Sequence, residues 1–407
     1  MASNNIVTVT GYSSGGEGVA RLDDGRVVFI PGAARGDILE IILTQEKTRS
    51  AHGEICNIIS PSGYRIDSDC PYYLQCGGCD FRHINYEEEL WAKLQRVNDA
   101  LSRIAGLSIR AEEILTTGQT DAYRNKAVFN YSDGRPALYC KHSHNSIPIE
   151  HCLLLKNDIN ESLRTLPQLK KSAKITVRSG RSGVVVSACD GARKSASLKS
   201  TQLEEELDGL IFGISGFFQV NSGAALLLYQ RAREYAAMSS DELLVDFYCG
   251  VGSLTIFVGR DARAAVGIEL EKAAIKKARD NARRNNLNNI RFICADAASD
   301  WSLENVDIQG CHHDALSSRN HALDILSSGA AKPDCIIVDP PRKGLSSGAL
   351  RKVLELAPSR IVYVSCDPAT LARDLRALEG YCVSNICAVD MFPRTANVEC
   401  CCLLRRK

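Results

Sequence analysis

The sequence predicts a chain of three parts: an N-terminal OB-like β-barrel over residues 1–60, a central α+β domain over 61–217, and a C-terminal Rossmann-like α/β domain over 218–407. The chain has 407 residues, which is long for a single domain. Short β-branched runs separated by glycine turns fill the first part, and strand and helix patterns alternate in the last. Clustered cysteines mark the part between them.

Composition places the chain among ordinary globular proteins. Apolar residues make up 45% and charged residues 24%, which excludes disordered, collagen-like and coiled-coil chains. Because the formal net charge is only +1, contacts with nucleic acid would have to come from local basic patches. The N-terminus lacks a signal-peptide pattern, and no apolar run approaches the ~20 residues that span a bilayer. We therefore expect a cytoplasmic protein whose 17 cysteines are reduced.

The N-terminal part contains four short runs rich in β-branched residues. Their spacing suits a five-stranded OB-type barrel, a fold that often binds single-stranded nucleic acid. The runs are Ile6–Thr10, Gly18–Leu22, Arg26–Ile30 and Ile38–Leu43.

The central part combines a long helix with an antiparallel sheet. The helix is predicted from about Glu87 to Ile104 and is expected to pack on the C-terminal domain. Strand patterns occur at Lys126–Tyr131, Lys174–Arg178 and Ser182–Ser187. Between Lys170 and Lys199 there are eight basic residues and one acidic residue, Asp190. This stretch is either a solvated face or an RNA-contacting face.

The C-terminal part shows the alternation of an open parallel sheet with helices on both faces. Helices are predicted at 224–238, 271–286 and 349–356, and strands at 243–246, 265–268, 290–295, 335–338 and 361–364. A polar segment at 301–332 interrupts this pattern and contains Cys311, His312, His313 and His321. Because their spacing matches no tetrahedral zinc pattern, we interpret the segment as a surface insertion.

Three strand ends in this domain predict an S-adenosylmethionine pocket. The first strand ends at Asp246 and continues into a turn with Gly250 and Gly252, which allows close approach to a ligand. The third glycine of the dinucleotide fingerprint is missing, which disfavours a pyrophosphate ligand. Glu269 ends the next strand, where a carboxylate can bind ribose hydroxyls, and Asp296 ends the third.

Two further strand ends carry candidate catalytic groups. Asp339 precedes two prolines and the sequence Arg342-Lys-Gly, which fixes the carboxylate at the carboxyl edge of the sheet. Cys366 ends the following strand just before a helix, whose N-terminus favours a thiolate, while the neighbouring Asp367 opposes it. A lone cysteine is usually a small core residue, but this position in the sheet favours catalysis.

A cysteine group in the central part has the spacing of metal ligands. Cys70, Cys76 and Cys79 lie on one glycine-containing loop, and either Cys140 or Cys152 could supply a fourth thiol. From spacing alone, four cysteines indicate zinc. The spacing differs from the three-cysteine loop of radical S-adenosylmethionine enzymes.

With these motifs the chain resembles the TRAM-domain RNA uracil-C5 methyltransferases, which make 5-methyluridine in tRNA and large-subunit rRNA. The resemblance covers essentially the whole chain. The stretches that carry it are Phe217–Asn221, Asp246–Gly252, Asp339–Gly344, Ser365–Asp374 and Asp390–Glu399.

The resemblance implies a TRAM barrel, a class I methyltransferase sheet and specific roles for individual residues. Cys366 would be the nucleophile that adds to uracil C6, and Glu399 the general base. Contacts with S-adenosylmethionine would fall at Gln219, Tyr248, Ser253, Glu269, Asp296 and Asp339. A [4Fe-4S] cluster would be held by Cys70, Cys76, Cys79 and Cys152.

The sequence leaves alternatives open for two features, the RNA substrate and the base that is modified. By analogy with the family, 23S rRNA is favoured over tRNA, and a monomer is expected. An RNA cytosine-C5 methyltransferase would carry a cysteine directly after the aspartate–proline turn, where this chain has Pro341 and Arg342. A non-catalytic RNA-binding module would have no reason to combine Cys366 with Glu399.

Overall fold

The computed structural model describes residues 5–132, 134–164, 166, 173–190, 193–197, 203–214, 217–299 and 332–407. The chain forms two compact units. The first unit comprises Met1–Arg96, Gly118–Thr201 and Asp390–Val398, and the second comprises Val97–Thr117, Gln202–Val389 and Glu399–Lys407. The finer division into three domains at residues 60 and 217 stays a prediction.

The secondary structure consists of 22 described strands and seven described α-helices. The strands are β1 (Asn5–Thr8), β2 (Gly11–Tyr12), β3 (Gly18–Arg21), β4 (Val27–Ile30), β5 (Ile38–Glu46), β6 (Ser50–Ser60), β7 (Ile114–Leu115), β8 (Lys126–Ser132), β9 (Arg135–Tyr139), β10 (Ser146–Pro148), β11 (Ala173–Gly180), β12 (Gly183–Asp190), β13 (Arg193–Ser197), β14 (Glu204–Leu207), β15 (Leu210–Gly213), β16 (Leu243–Phe247), β17 (Ala264–Glu269), β18 (Ile290–Cys294), β19 (Cys335–Val338), β20 (Arg360–Ser365), β21 (Tyr381–Val389) and β22 (Glu399–Arg406). The helices are α1 (Tyr86–Ala100), α2 (Asn157–Leu163), α3 (Ser222–Ala236), α4 (Ser253–Gly259), α5 (Lys272–Arg284), α6 (Ser347–Leu356) and α7 (Pro368–Ala377). A π-helical turn, Leu101–Ala105, follows α1.

The N-terminal sheet of the first unit has six strands in the order β1-β5-β6-β4-β3-β2. All pairs are antiparallel except β4 with β6. Alternating apolar residues form its core, for example Val28 and Ile30 on β4 and Leu39 and Ile41 on β5. Five strands were expected; the sixth arises because β2, only two residues long, pairs with β3.

A second sheet of the first unit has the order β10-β9-β8-β11-β12-β13 and is antiparallel throughout. Alternate residues of β8 and β11 are buried, including Phe129, Ile175 and Val177, and they pack against α2. The residues between them, such as Lys126 and Lys174, therefore point to the other face. The sheet thus has one apolar face and one mixed face, which carries Lys126, Lys174 and Arg178 among uncharged residues.

The second unit contains an eight-stranded sheet in the order β18-β17-β16-β19-β20-β22-β21-β7. The strands are parallel except β22, which runs antiparallel to both neighbours, β20 and β21. Every residue of β16 is buried, as expected for a central strand covered on both faces. The helices and strands predicted for this unit agree with those observed to within two residues at each end.

Parts of the predicted organisation fall on residues that are not described. Lys170, Lys171 and Lys199 of the basic stretch, and residues 301–331 of the interrupting segment, lie outside the described ranges. Among the helices that are described, none is both long enough and apolar enough to cross a membrane.

Candidate active site

The parallel strands of the second unit end at one common edge. Phe247 pairs with both Ile268 and Val338, and Val338 pairs with Tyr363. The residues that follow these strand ends therefore lie along the same edge. This edge carries the predicted site residues Tyr248, Glu269, Asp339 and Cys366, and open α/β sheets bind ligands there.

The predicted nucleophile and base are brought together by the antiparallel pair β20–β22. Its register pairs Ser365 with Cys400, as the last step of an uninterrupted ladder from Arg360. Cys366 directly follows β20 and Glu399 begins β22, so both lie one position beyond this last registered pair. The Glu399 carboxyl group raises the pKa of the Cys366 thiol, which places the two groups within electrostatic reach of each other.

Glu399 is buried, with 4% of its surface exposed. Burial and, to a smaller extent, Asp339 raise the pKa of its carboxyl group to about 8, while Arg342 acts in the opposite direction. A carboxyl group with a pKa near neutrality can both accept and release a proton at physiological pH. The environment of Glu399 therefore suits the predicted general base.

The Cys366 thiol is partly buried at the turn between β20 and α7. Its pKa is raised to about 11, first by desolvation and then by Glu399 and Asp339. Arg342 is the cation that lowers it. Burial and carboxylates thus outweigh the helix N-terminus, which is capped by Asp367 through bonds of 2.9 Å from the amides of Ala369 and Thr370.

Two further carboxyl groups lie along this edge, Asp246 buried and Asp339 partly buried. Desolvation raises the pKa of Asp339 to about 7 and that of Asp246 to about 8. Asp246 Oδ2 accepts a 2.5 Å hydrogen bond from Thr255 Oγ1. Its other oxygen, Oδ1, is buried and has no hydrogen-bond partner in the part of the chain that is described. An unsatisfied buried carboxylate oxygen suits a cationic or donor-rich ligand.

The turn after β16 is shaped by positive backbone φ angles. Tyr248 has a φ of 65° and Gly252 a φ of 79°. A Cβ at Gly252 would lie 2.6 Å from the ring of Phe292, so only glycine fits. Gly252 caps α4, which begins at Ser253. Ser253 Oγ lies 2.9 Å from the hydroxyl of Tyr229 on α3.

The other predicted cofactor residues have different environments. Glu269 accepts hydrogen bonds from the amides of Gly250 (3.2 Å) and Glu271 (2.9 Å), which fixes the carboxylate at the end of β17. Asp296 is exposed, and its Oδ1 accepts a bond from the amide of Ala298. Gln219 is buried just ahead of α3, whose N-cap is Asn221.

Three residues of the site were missed by sequence reasoning. Tyr229 is buried, and Asp339, Asp246 and Glu399 all raise the pKa of its hydroxyl after desolvation. Arg342 acts on both Cys366 and Glu399. Asp246 was noted only as a strand end. Arg342 had a sequence signal, since it lies inside the Asp339–Gly344 motif; Tyr229 lies in an ordinary helix pattern and had none.

Comparison with known proteins agrees with this geometry. Residues 212–407 match the tRNA (Uracil-5-)-methyltransferase family, and residues 6–56 match the TRAM domain. An uncharacterized RNA methyltransferase of Synechocystis sp. is 31% identical over 465 residues, which cover 98% of this chain and 95% of that protein. The chain belongs to the TRAM-containing RNA (uracil-5-)-methyltransferase family.

Other proteins also match this RNA methyltransferase over nearly its whole length. An uncharacterized RNA methyltransferase of Clostridium tetani is 29% identical over 96% of this chain and 94% of that protein. Among solved structures, the tRNA (uracil-54, C5)-methyltransferase of Pyrococcus abyssi in complex with S-adenosyl-L-homocysteine covers 99% of this chain and 100% of that one, with a TM-score of 0.71. At 22% identity this likeness shows a shared fold.

The cysteine group of this RNA methyltransferase lies in its first unit. Burial and, to a smaller extent, the neighbouring thiols raise the pKa of Cys76, Cys79 and Cys152, in the case of Cys79 to about 12. Cys70 and Cys140 are among those neighbours, and Cys76 forms a β-bridge with Cys140. The described residues nevertheless contain no group of three or more His, Cys, Asp or Glu side chains placed to hold a metal ion. The donor chemistry suits a metal, but the ligand geometry is not formed.

Proposed function

We propose that this RNA methyltransferase modifies C5 of uridine in 23S rRNA, with Cys366 as the nucleophile and Glu399 as the general base. One observation supports the proposal most: Cys366 and Glu399 lie one position beyond the last registered pair of β20 and β22, Ser365 with Cys400, at the carboxyl edge of the parallel strands. Membership of the RNA (uracil-5-)-methyltransferase family supports the reaction class.

The chemistry requires both groups. Uracil C5 is too weak a nucleophile to be methylated directly, and addition of a thiolate to C6 turns C5 into an enolate carbon. After methylation a base must remove the C5 proton before the thiolate can leave. Glu399, with its pKa raised to about 8, can accept that proton. The uridine must leave its stack to reach Cys366.

The buried carboxyl groups support S-adenosylmethionine as the methyl donor. When bound, this cofactor supplies an activated methyl group on a positively charged sulfur. Asp246 and Glu399 are buried, Asp339 is partly buried, and all three have raised pKa values, so the cluster favours a cationic ligand. We assign the contacts to the predicted residues, which are Gln219, Tyr248, Ser253, Glu269, Asp296 and Asp339, together with Asp246.

Cations on one face of the second sheet support an RNA partner. Lys126 on β8 is registered opposite Arg178 on β11, and Arg124 lies two residues before Lys126. Desolvation, Arg178 and Arg124 all lower the pKa of Lys126. Arg178 is buried, so we assign contacts with RNA phosphates to the half-buried Lys126 and the exposed Lys174 on the same face.

The choice of RNA is tested directly with purified protein. We expect methyl label from S-adenosylmethionine to enter unmodified 23S rRNA and to be recovered as 5-methyluridine on nucleoside analysis. Unmodified tRNA is the matched substrate, because the Pyrococcus abyssi neighbour is a tRNA (uracil-54, C5)-methyltransferase. Label confined to tRNA would move the assignment to tRNA, and recovery as 5-methylcytidine would contradict uridine as the target.

The cysteine group is proposed to hold a [4Fe-4S] cluster through Cys70, Cys76, Cys79 and Cys152. Thiols that are costly to ionise when crowded together become stable thiolates when they bind a metal. Anaerobically purified protein should be brown and contain about four irons per chain. Cys152→Ser should lose iron, whereas Cys140→Ser is the matched control and should retain it. Stoichiometric zinc without iron would contradict the cluster.

A further inference from the structure

Asp374 on α7 connects two segments of the candidate active site. Its Oδ2 accepts a 2.6 Å hydrogen bond from Tyr363 Oη on β20 and a 2.8 Å bond from the amide of Leu345. Tyr363 lies three residues before Cys366, and Leu345 lies in the loop that follows Asp339. Asp374 is buried, with 3% of its surface exposed, so these bonds are made away from solvent.

The second oxygen of Asp374 holds the same loop through Arg373. Arg373 Nε and Nη2 donate to Asp374 Oδ1 at 2.8 and 2.7 Å, and Nη2 also donates to the carbonyl of Lys343 at 2.7 Å. Gly344, between the two anchored positions, has a φ of 76°, and a Cβ there would overlap the side chains of Arg373 and Asp374. Both carboxylate oxygens thus hold residues 343–345.

Arg342 is the residue directly before this anchored segment. Four charged groups act on the Cys366 thiol: Glu399 on β22, Asp339 in the loop and Asp367 on its own turn oppose its ionisation, and Arg342 favours it. Desolvation opposes the thiolate most strongly, and among these four charged groups Arg342 alone favours it. The position of Arg342 depends on the loop that Asp374 fixes.

We propose that Asp374 is a positioning residue for methyl transfer, which holds the Lys343–Leu345 segment so that Arg342 stays within electrostatic reach of Cys366. The proposal rests on the proposed function only in taking Cys366 as the nucleophile. Asp374 itself contacts Tyr363, Arg373 and the loop backbone, so it acts through Arg342.

The test measures the reactivity of Cys366 without RNA or cofactor. Iodoacetamide alkylation is followed peptide by peptide by mass spectrometry, across a range of pH, in wild type and in Asp374→Asn. In Asp374→Asn we expect the alkylation rate of Cys366 at pH 8 to be about tenfold lower than in wild type, as for the loss of one nearby charge. The pH profile of this rate should move to higher pH. The exposed Cys382 should react at the wild-type rate in both proteins. Asp261→Asn, which breaks an exposed ion pair with Arg233, is the matched control and should change neither rate.

A second variant separates positioning through Arg342 from a general structural role. If Asp374 acts through Arg342, the double variant Arg342→Ala/Asp374→Asn should alkylate no more slowly than Arg342→Ala alone. The proposal would be overturned if Cys366 in Asp374→Asn were alkylated at the wild-type rate. It would also be overturned if the rate effects of the two substitutions multiplied in the double variant.

If Asp374→Asn does not fold, Tyr363→Phe removes one of the same bonds. It should then slow Cys366 alkylation by a smaller factor, and an unchanged rate would overturn the proposal. Because alkylation needs no methyl transfer, the result is independent of whether the proposed function is correct.

Discussion

Cys366→Ala is expected to abolish RNA methylation, with turnover reduced by roughly four orders of magnitude or more, as when the nucleophile of a covalent mechanism is removed. If Cys366 is the nucleophile, C5 of uracil is not activated in this variant. The measurement is transfer of labelled methyl groups to RNA. Binding of RNA and of S-adenosylmethionine should be retained, because alanine removes only the sulfur of a partly buried side chain.

Cys382→Ala is the matched control for this variant. Cys382 is an exposed cysteine on β21 of the same unit, and its removal should leave turnover unchanged. Turnover that persists in Cys366→Ala would show that another residue is the nucleophile.

Glu399→Gln should stop the reaction later than Cys366→Ala does. If Glu399 only removes the C5 proton after methylation, the glutamine variant should accumulate methylated RNA covalently bound to Cys366. This adduct would be seen as a protein–RNA band that survives denaturation. Turnover should fall by about 10²–10⁴-fold, the usual value of a single general base. Normal product release without an adduct would contradict the role of Glu399.

The pH dependence of the wild-type enzyme follows from the same residue. Burial, with a further contribution from Asp339, raises the pKa of Glu399 to about 8, so at pH 6 the carboxyl group is protonated and cannot act as a base. Product release should therefore accelerate as the pH rises towards 8 and level off above it. In Glu399→Gln the residual release should lack this dependence, because glutamine does not titrate.

Much of the C-terminal fold was predictable because its parallel strands are continuous apolar runs separated by amphipathic helices. Asp246, Glu269 and Asp339 were found since each ends such a run, and strand ends meet at one edge of the sheet. The antiparallel position of β22 between β20 and β21 was not predictable. Nothing in the sequence of Glu399–Arg406 indicates which strands lie beside β22. The pairing of β22 with β20 explains why Glu399 lies near Cys366.

The electrostatics of the site could not be predicted from the sequence either. The helix that follows Cys366 suggested a lowered thiol pKa, whereas desolvation and the carboxyl groups of Glu399 and Asp339 raise it. These groups come from three different strand ends, so their combined effect depends on tertiary structure. The same is true of Asp374, whose partners on β20 and in the loop after β19 are 11 and 29 residues away in the chain.

The interior position of β22 also sets an order for folding during synthesis. Of the eight strands of this sheet, β22 is made last, yet β21 and β7 can join β20 only through it. A nascent chain that ends at β21 already carries Cys366 but has a sheet in two pieces and no Glu399. If Cys366 and Glu399 have the proposed roles, such a chain has the nucleophile but not the base. Completion of the sheet and acquisition of that base then happen in one step, when β22 is added.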